Sequence, residues 1–388
     1  MEGYPLADGA GKSIWHRFSH QPGTIKNGDT GDIAADHYHR YDEDVRLMHW
    51  IGLDAYRFSV SWGRILPEGR GRVNQKGLDF YQRLVDMLLE HGILPMLTLY
   101  HWDLPQALEE QGGWLNEDVA KWFADYADVL IRALDDRVPL WATLNEPWVV
   151  ANHGYRIGEM APGHAEIQEV PVVAHNLMRA HAHAKRLYDE TGRHEMGLVV
   201  NLEPKHAASD SQADRDAAQR EHIYQNLYYL DPPFFGRYPD GLADLFGDAW
   251  PGYTDEAMAE LKAPPDFVGI NYYTRSVLRA GTQDPFLKSE RVVQETSMHT
   301  TMGWEVYAAG LTEMLEHVAA RYGKVPQYVT ENGSAFPDPE RDADGVVADP
   351  QRVAYLKAHI RAVRKAMEKG VDVRGYFAWS LLDNFEWA

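Results

Sequence analysis

The sequence contains no cysteine, which excludes disulfide bridges and thiolate-bound metals outright. It is also short of positive charge: 38 Lys and Arg stand against 58 Asp and Glu, a formal net charge of −20 at pH 7. Nucleic acids and anionic membranes are bound by clustered cations, so this deficit argues against both as partners. No run approaches the roughly 20 apolar residues of a membrane-spanning helix. The opening Met1-Glu2-Gly3-Tyr4-Pro5 lacks the basic segment and apolar core of a signal peptide, and a cytoplasmic location is expected. No Gly-rich phosphate loop follows an apolar run, which counts against an open doubly wound nucleotide-binding sheet. No convincing cluster of His and acidic residues stands out either, so neither a metal nor a cofactor is expected. His181-Ala182-His183 are spaced so that their imidazoles diverge on a helix. His37 and His39 read as parts of a structural hydrogen-bonded segment, and the acidic run Asp338 to Asp344 as a solvated loop.

What is present is an apolar fraction of 45%, enough for a large core, with 12 Trp and 21 Tyr. Aromatic faces stack on the apolar faces of sugar rings, although they also line core edges. At 388 residues a single domain over 1–388 is expected, because α/β barrels exceed the usual domain size. Residues 1–35 read as a long polar loop. After them, apolar runs near 54–62, 93–99, 140–144, 197–202, 266–271, 326–330 and 375–380 read as seven strands. Six are followed by helical sequence, such as 78–89, where Leu78, Tyr81, Leu84, Val85 and Leu88 share one face. Strands alternating with helices imply a parallel sheet covered by helices. An α/β fold of the eight-unit TIM-barrel type is the better reading, with its site at the C-terminal strand ends.

Those strand ends carry chemistry. Leu140 to Leu144 runs into Asn145-Glu146-Pro147, and Pro326 to Thr330 into Glu331-Asn332-Gly333. Two strand-end glutamates, each beside an asparagine, suggest a catalytic carboxylate pair. Arg57, His101, Asn271, Tyr273 and Trp379 occupy equivalent positions on other strands. Each alone has a bland reading, as an ion-pair partner, a core histidine or a core cap; their shared position makes the case.

Thr143-Leu144-Asn145-Glu146-Pro147 and Val329-Thr330-Glu331-Asn332-Gly333 resemble the acid/base and nucleophile signatures of family 1 glycoside hydrolases, retaining β-glucosidases and their relatives. Supporting matches span nearly the whole chain: Asp36-His37-Tyr38-His39-Arg40, Tyr56-Arg57-Phe58-Ser59, Leu99-Tyr100-His101-Trp102-Asp103, Asn271-Tyr272-Tyr273 and Trp379 through Trp387. The resemblance implies Glu331 as nucleophile, held by Arg57 and Tyr273, and Glu146 as acid/base. It further implies Asn145 at the sugar 2-hydroxyl, and substrate contacts from Asn271, His101, Glu386 and Trp387. Trp379 would floor the glycone pocket and Trp304 wall the leaving-group site. A carboxylate at Glu386 would repel a phosphosugar, which favours unphosphorylated β-glucosides or oligosaccharides, with galactosyl and fucosyl residues as further candidates. Oligomerisation is left open.

Family members begin with an apolar strand and a Gln-x-Glu-Gly segment, of which Met1-Glu2-Gly3 resembles the tail. They also continue past Trp387 into a loop and a last helix. An incomplete barrel is therefore expected, lacking the first strand and C-terminal helix, with unpaired edges near 55–62 and 374–380. Two alternatives follow: a truncated, inactive or sugar-binding relic of such an enzyme, and a metal-dependent barrel hydrolase.

Overall fold

The computed structural model describes residues 2–387. Its ten strands are β1 (Ala55–Ser59), β2 (Leu94–Tyr100), β3 (Leu140–Asn145), β4 (Glu195–Asn201), β5 (Lys205–Ala207), β6 (Val268–Asn271), β7 (Ser276–Asp284), β8 (Ser289–Arg291), β9 (Gln327–Asn332) and β10 (Val373–Ala378). Seven form one parallel sheet in the order β1-β2-β3-β4-β6-β9-β10, a nearly closed barrel. The strands have the residues that a doubly covered parallel sheet demands. β3 and β9 are buried along their whole length, whereas β1 and β10 are half-exposed and each pairs on one side only. The open seam expected from the sequence thus lies between these two. No helix follows β10 among the described residues.

Amphipathic helices seal the outside. Gln75–Glu90 buries Leu78, Tyr81, Leu84, Val85 and Leu88, and Val119–Leu134 buries Val119, Trp122, Phe123, Tyr126 and Leu130. These faces pack on the outward side chains of the strands in one large apolar core. Inside the barrel, Met96, Leu140, Ala142, Val199, Phe267 and Tyr328 form a separate small core. It closes the barrel below the C-terminal strand ends, so polar groups there stand on a rigid floor. No helix among the described residues is long and apolar enough to cross a membrane.

Three features differ from the sequence expectation. The segment 1–35 is not all loop, because Ile14–Ser19 forms a helix capped by Ser13, whose hydroxyl accepts from the His16 amide at 3.1 Å. The helical sequence that follows the run at 197–202 is α-helical over Gln212–His222, and Ile223–Leu227 widens into a π-helical turn. The loops after β4 and β6 build a second sheet, β5-β7-β8. The histidines set aside as structural behave so. His181 is buried between the Thr143 hydroxyl (2.7 Å) and the Ala263 carbonyl (3.0 Å), and His183 points to Glu260 (2.7 Å). His37 and His39 bond Asp44 and Asp36 at 2.7 and 2.8 Å.

Candidate active site

Both glutamates emerge where the parallel register breaks. The β3–β4 register shifts between Ala142 and Asn145, and the β6–β9 register between Ile270 and Asn271. Such irregularities re-aim side chains at a sheet's rim. Beyond β3, Glu146 takes a left-handed backbone (φ 47°, ψ 63°), fixed by its amide donating to the Val199 carbonyl at 2.9 Å. For a residue with a Cβ that conformation costs on the order of 1–3 kcal/mol, here sustained by the surrounding strands. Pro147 then opens a short helix. On β9 the glycine of Glu331-Asn332-Gly333 is required by contact: a Cβ on Gly333 would lie 1.9 Å from the Trp379 carbonyl oxygen.

A continuous hydrogen-bonded chain joins the two carboxyls. Arg57 crosses the barrel interior from β1, donating through Nη1 to Glu331 Oε1 at 2.8 Å and through Nη2 to Asn145 Oδ1 at 2.6 Å. Asn145 Oδ1 also accepts from Asn271 Nδ2 at 3.1 Å, and the same Nδ2 donates to Glu146 Oε1 at 2.7 Å. The Tyr273 hydroxyl donates to Glu331 Oε2 at 2.7 Å. Asn145 Nδ2 faces His101 Nε2 at 3.2 Å, so that nitrogen accepts and the ring proton sits on Nδ1.

The two carboxyls stand in different surroundings. Glu331 accepts from a guanidinium and a phenol. Glu146 forms no ion pair among the described residues, and its carboxyl is pushed up to about 8, first by burial and then by repulsion from Glu331. It is therefore protonated at neutral pH. Burial and the Arg57 charge hold His101 well below the ordinary imidazole range, so it is neutral. Burial and the Glu331 charge push the Tyr273 phenol up, so it stays a donor. Glu386 lies at the exposed rim, yet partial loss of water and the Glu331 charge raise its carboxyl.

Aromatic rings complete the walls. Trp379 and Trp387 both lie nearly parallel to His101, with centroids 5.7 and 5.8 Å away. Trp304 leans on Tyr273 with ring centroids 5.3 Å apart and is exposed. All eleven sequence-predicted residues thus gather on one rim. The sequence reading missed their supports. The Thr330 hydroxyl orients Asn271 (2.7 Å), and the Trp102 indole fixes the Asn145 carbonyl (2.9 Å). Asn332 is clamped by Tyr376 (2.6 Å) and Tyr355 (3.1 Å). Thr330, Trp102 and Asn332 lie inside the quoted motifs, but nothing in the sequence distinguished them as supports. None of the site's side chains joins a group with metal-ligand geometry among the described residues.

The family model for glycosyl hydrolase family 1 matches residues 1–388. The chain is 48% identical to β-glucosidase A of Thermotoga maritima over 390 residues, covering 100% of this chain and 87% of that protein. It is 41% identical over 408 residues to a bifunctional β-D-glucosidase/β-D-fucosidase of Bifidobacterium breve, covering 100% and 88%. The solved structure of a T. maritima β-glucosidase in complex with castanospermine superposes with a TM-score of 0.95 at 48% identity, covering 100% of this chain and 87% of that one.

Proposed function

Because the chain belongs to glycosyl hydrolase family 1, we propose that it is a retaining β-glycosidase. It hydrolyses non-reducing terminal β-D-glucosyl residues through a covalent glycosyl-enzyme intermediate. The observation that carries this reading is two buried carboxyls tied into one hydrogen-bonded chain, Glu331 paired with the Arg57 guanidinium and Glu146 pushed up to about 8 by burial and by Glu331.

The chemistry follows from those states. Glu331, ionised and held by Arg57 and Tyr273, attacks the anomeric carbon as the glycosidic C–O bond breaks. Glu146 gives its proton to the departing oxygen. Once Glu331 is esterified its negative charge is gone, and with it the repulsion that raised Glu146. Glu146, now ionised, takes a proton from water, which attacks the anomeric carbon and releases Glu331. Two displacements at one carbon give net retention. Asn145, whose Nδ2 faces His101 at 3.2 Å, supplies a donor for the sugar 2-hydroxyl. His101, Asn271, Glu386 and Trp387 bind the glycone over Trp379, and Trp304 lines the leaving-group side. Unphosphorylated gluco-configured substrates fit a carboxylate at Glu386; a phosphosugar would be repelled by it.

Proton NMR of the sugar first released from an aryl β-glucoside tests the reading. β-Glucose appearing before mutarotation is expected. α-Glucose appearing first would mean a single inverting displacement and would refute the role given to Glu331.

A further inference from the structure

We infer that His16, His20 and Asp32 form a binding site for one zinc-class divalent cation, at a position separate from the two glutamates. His16 and His20 stand one turn apart along the helix Ile14–Ser19 and its C-cap, with ring centroids 4.4 Å apart. Asp32 approaches from the following loop, its Oδ2 3.1 Å from His20 Nε2 and its Oδ1 3.8 Å from His16 Nδ1. One ligand atom from each of the three lies within 4.8 Å of the others.

Two features point to a cation rather than to a chance cluster. The first is the orientation of His20, whose Nδ1 lies 2.6 Å from the His16 carbonyl oxygen while its Nε2 faces Asp32 Oδ2 at 3.1 Å. A histidine donating its other N–H to a backbone carbonyl is also the usual outer-shell support of a metal ligand. The second is His16 Nδ1, a buried nitrogen with no hydrogen-bond partner among the described residues, turned toward the same carboxylate at 3.8 Å.

Two imidazoles and a carboxylate match zinc's preferred donors and leave a fourth position for water. Zinc bonds of about 2.0–2.1 Å place tetrahedral donors roughly 3.3 Å apart, so the group must contract slightly. His20 and Asp32, with side chains 40% and 48% exposed, have the freedom to do so. Lys12, whose charge is felt at His16, opposes the cation from one side. The bound ion would staple the helix Ile14–Ser19 to the loop at Asp32, whose carbonyl accepts from the Tyr4 amide at 2.7 Å. That helix also carries Trp15, which packs on Trp387 with centroids 4.6 Å apart.

The test titrates zinc chloride into chelator-treated full-length protein by calorimetry and follows the melting temperature with and without zinc. It compares the wild type with His20→Ala and Asp32→Ala, whose side chains are 40% and 48% exposed, each checked for a folded circular dichroism spectrum. One saturable zinc per chain is expected in the wild type, weakened roughly tenfold or more in each variant. At a hundredfold excess over Kd the wild-type melting temperature rises by about 3 °C, and the variants do not respond. The 18 histidines of the chain offer other weak sites. Equal zinc affinity and equal thermal response in all three proteins would place the metal on those and overturn the inference. Absence of saturable binding in the wild type would overturn it as well, leaving the triad an ion pair.

Discussion

Replacing Glu146 by Gln is the sharpest perturbation of the acid/base assignment, because it changes protonation and little else. The amide oxygen can still accept from Asn271, which donates to Glu146 Oε1 at 2.7 Å. What is lost is the proton that a carboxyl held at about 8 carries at neutral pH. General acid–base assistance is worth about 10²–10⁴ in rate, roughly 3–5 kcal/mol. That loss should appear in full for a glucoside whose leaving group is basic and needs the proton. It should shrink in the glycosylation step for a nitrated phenyl glucoside, whose leaving group departs unprotonated. The assay is kcat/KM against pH for both substrates. Wild-type kcat/KM should fall on the alkaline side near pH 8, and the variant should lose that limb. Equal losses for both leaving groups, or an alkaline limb unchanged in the variant, would refute the reasoning. The same shift has a stability consequence of known sign. A carboxyl raised above its unfolded value binds more protons in the folded state, so its stabilising contribution is intact at low pH and is lost as pH rises toward 8. Glu146→Gln should therefore gain stability relative to the wild type between pH 4 and 8.

Two structural predictions follow from contacts outside the carboxyl pair. Gly333→Ala would put a methyl 1.9 Å from the Trp379 carbonyl, so the Trp379 backbone must move; KM for aryl β-glucosides should rise about tenfold or more, with a lower melting temperature. A variant with wild-type KM would show that Trp379 does not shape the pocket. Arg64 is 1% exposed, pairs with Glu2 at 2.8 Å and reaches the Tyr4 carbonyl at 3.1 Å. Arg64→Met should cost about 3 kcal/mol in denaturant unfolding, because the Glu2 carboxylate loses its cation; Glu2→Gln in the same background should restore part of it.

How much of this was legible in the sequence depends on how locally each feature is encoded. β3 and β9 were readable because each is an uninterrupted apolar run ending in Asn and Glu, and both are buried on two faces. The helix face at 78–89 was readable from its spacing. The shifts at Ala142/Asn145 and Ile270/Asn271 were not, since register belongs to a pair of strands and leaves no mark on either alone. The β5-β7-β8 sheet was missed because β5 has three residues and β7 is largely polar and exposed. The helix Ile14–Ser19 was hidden among turn residues, yet Ser13 as cap and the four-residue spacing of His16 and His20 were visible signals. The seam was legible because β1 and β10 lack a common partner at the positions the family resemblance implied.

The central claim is that Glu331 forms a covalent bond to the sugar, and hydrolysis of an aryl β-glucoside by the wild type beside Glu331→Gln tests it most directly. Gln keeps the size of the side chain but cannot serve as the anionic nucleophile that Arg57 and Tyr273 hold at 2.8 and 2.7 Å. Clear turnover by the wild type that falls to background in a folded variant is predicted. Wild-type rates in the variant would contradict the account.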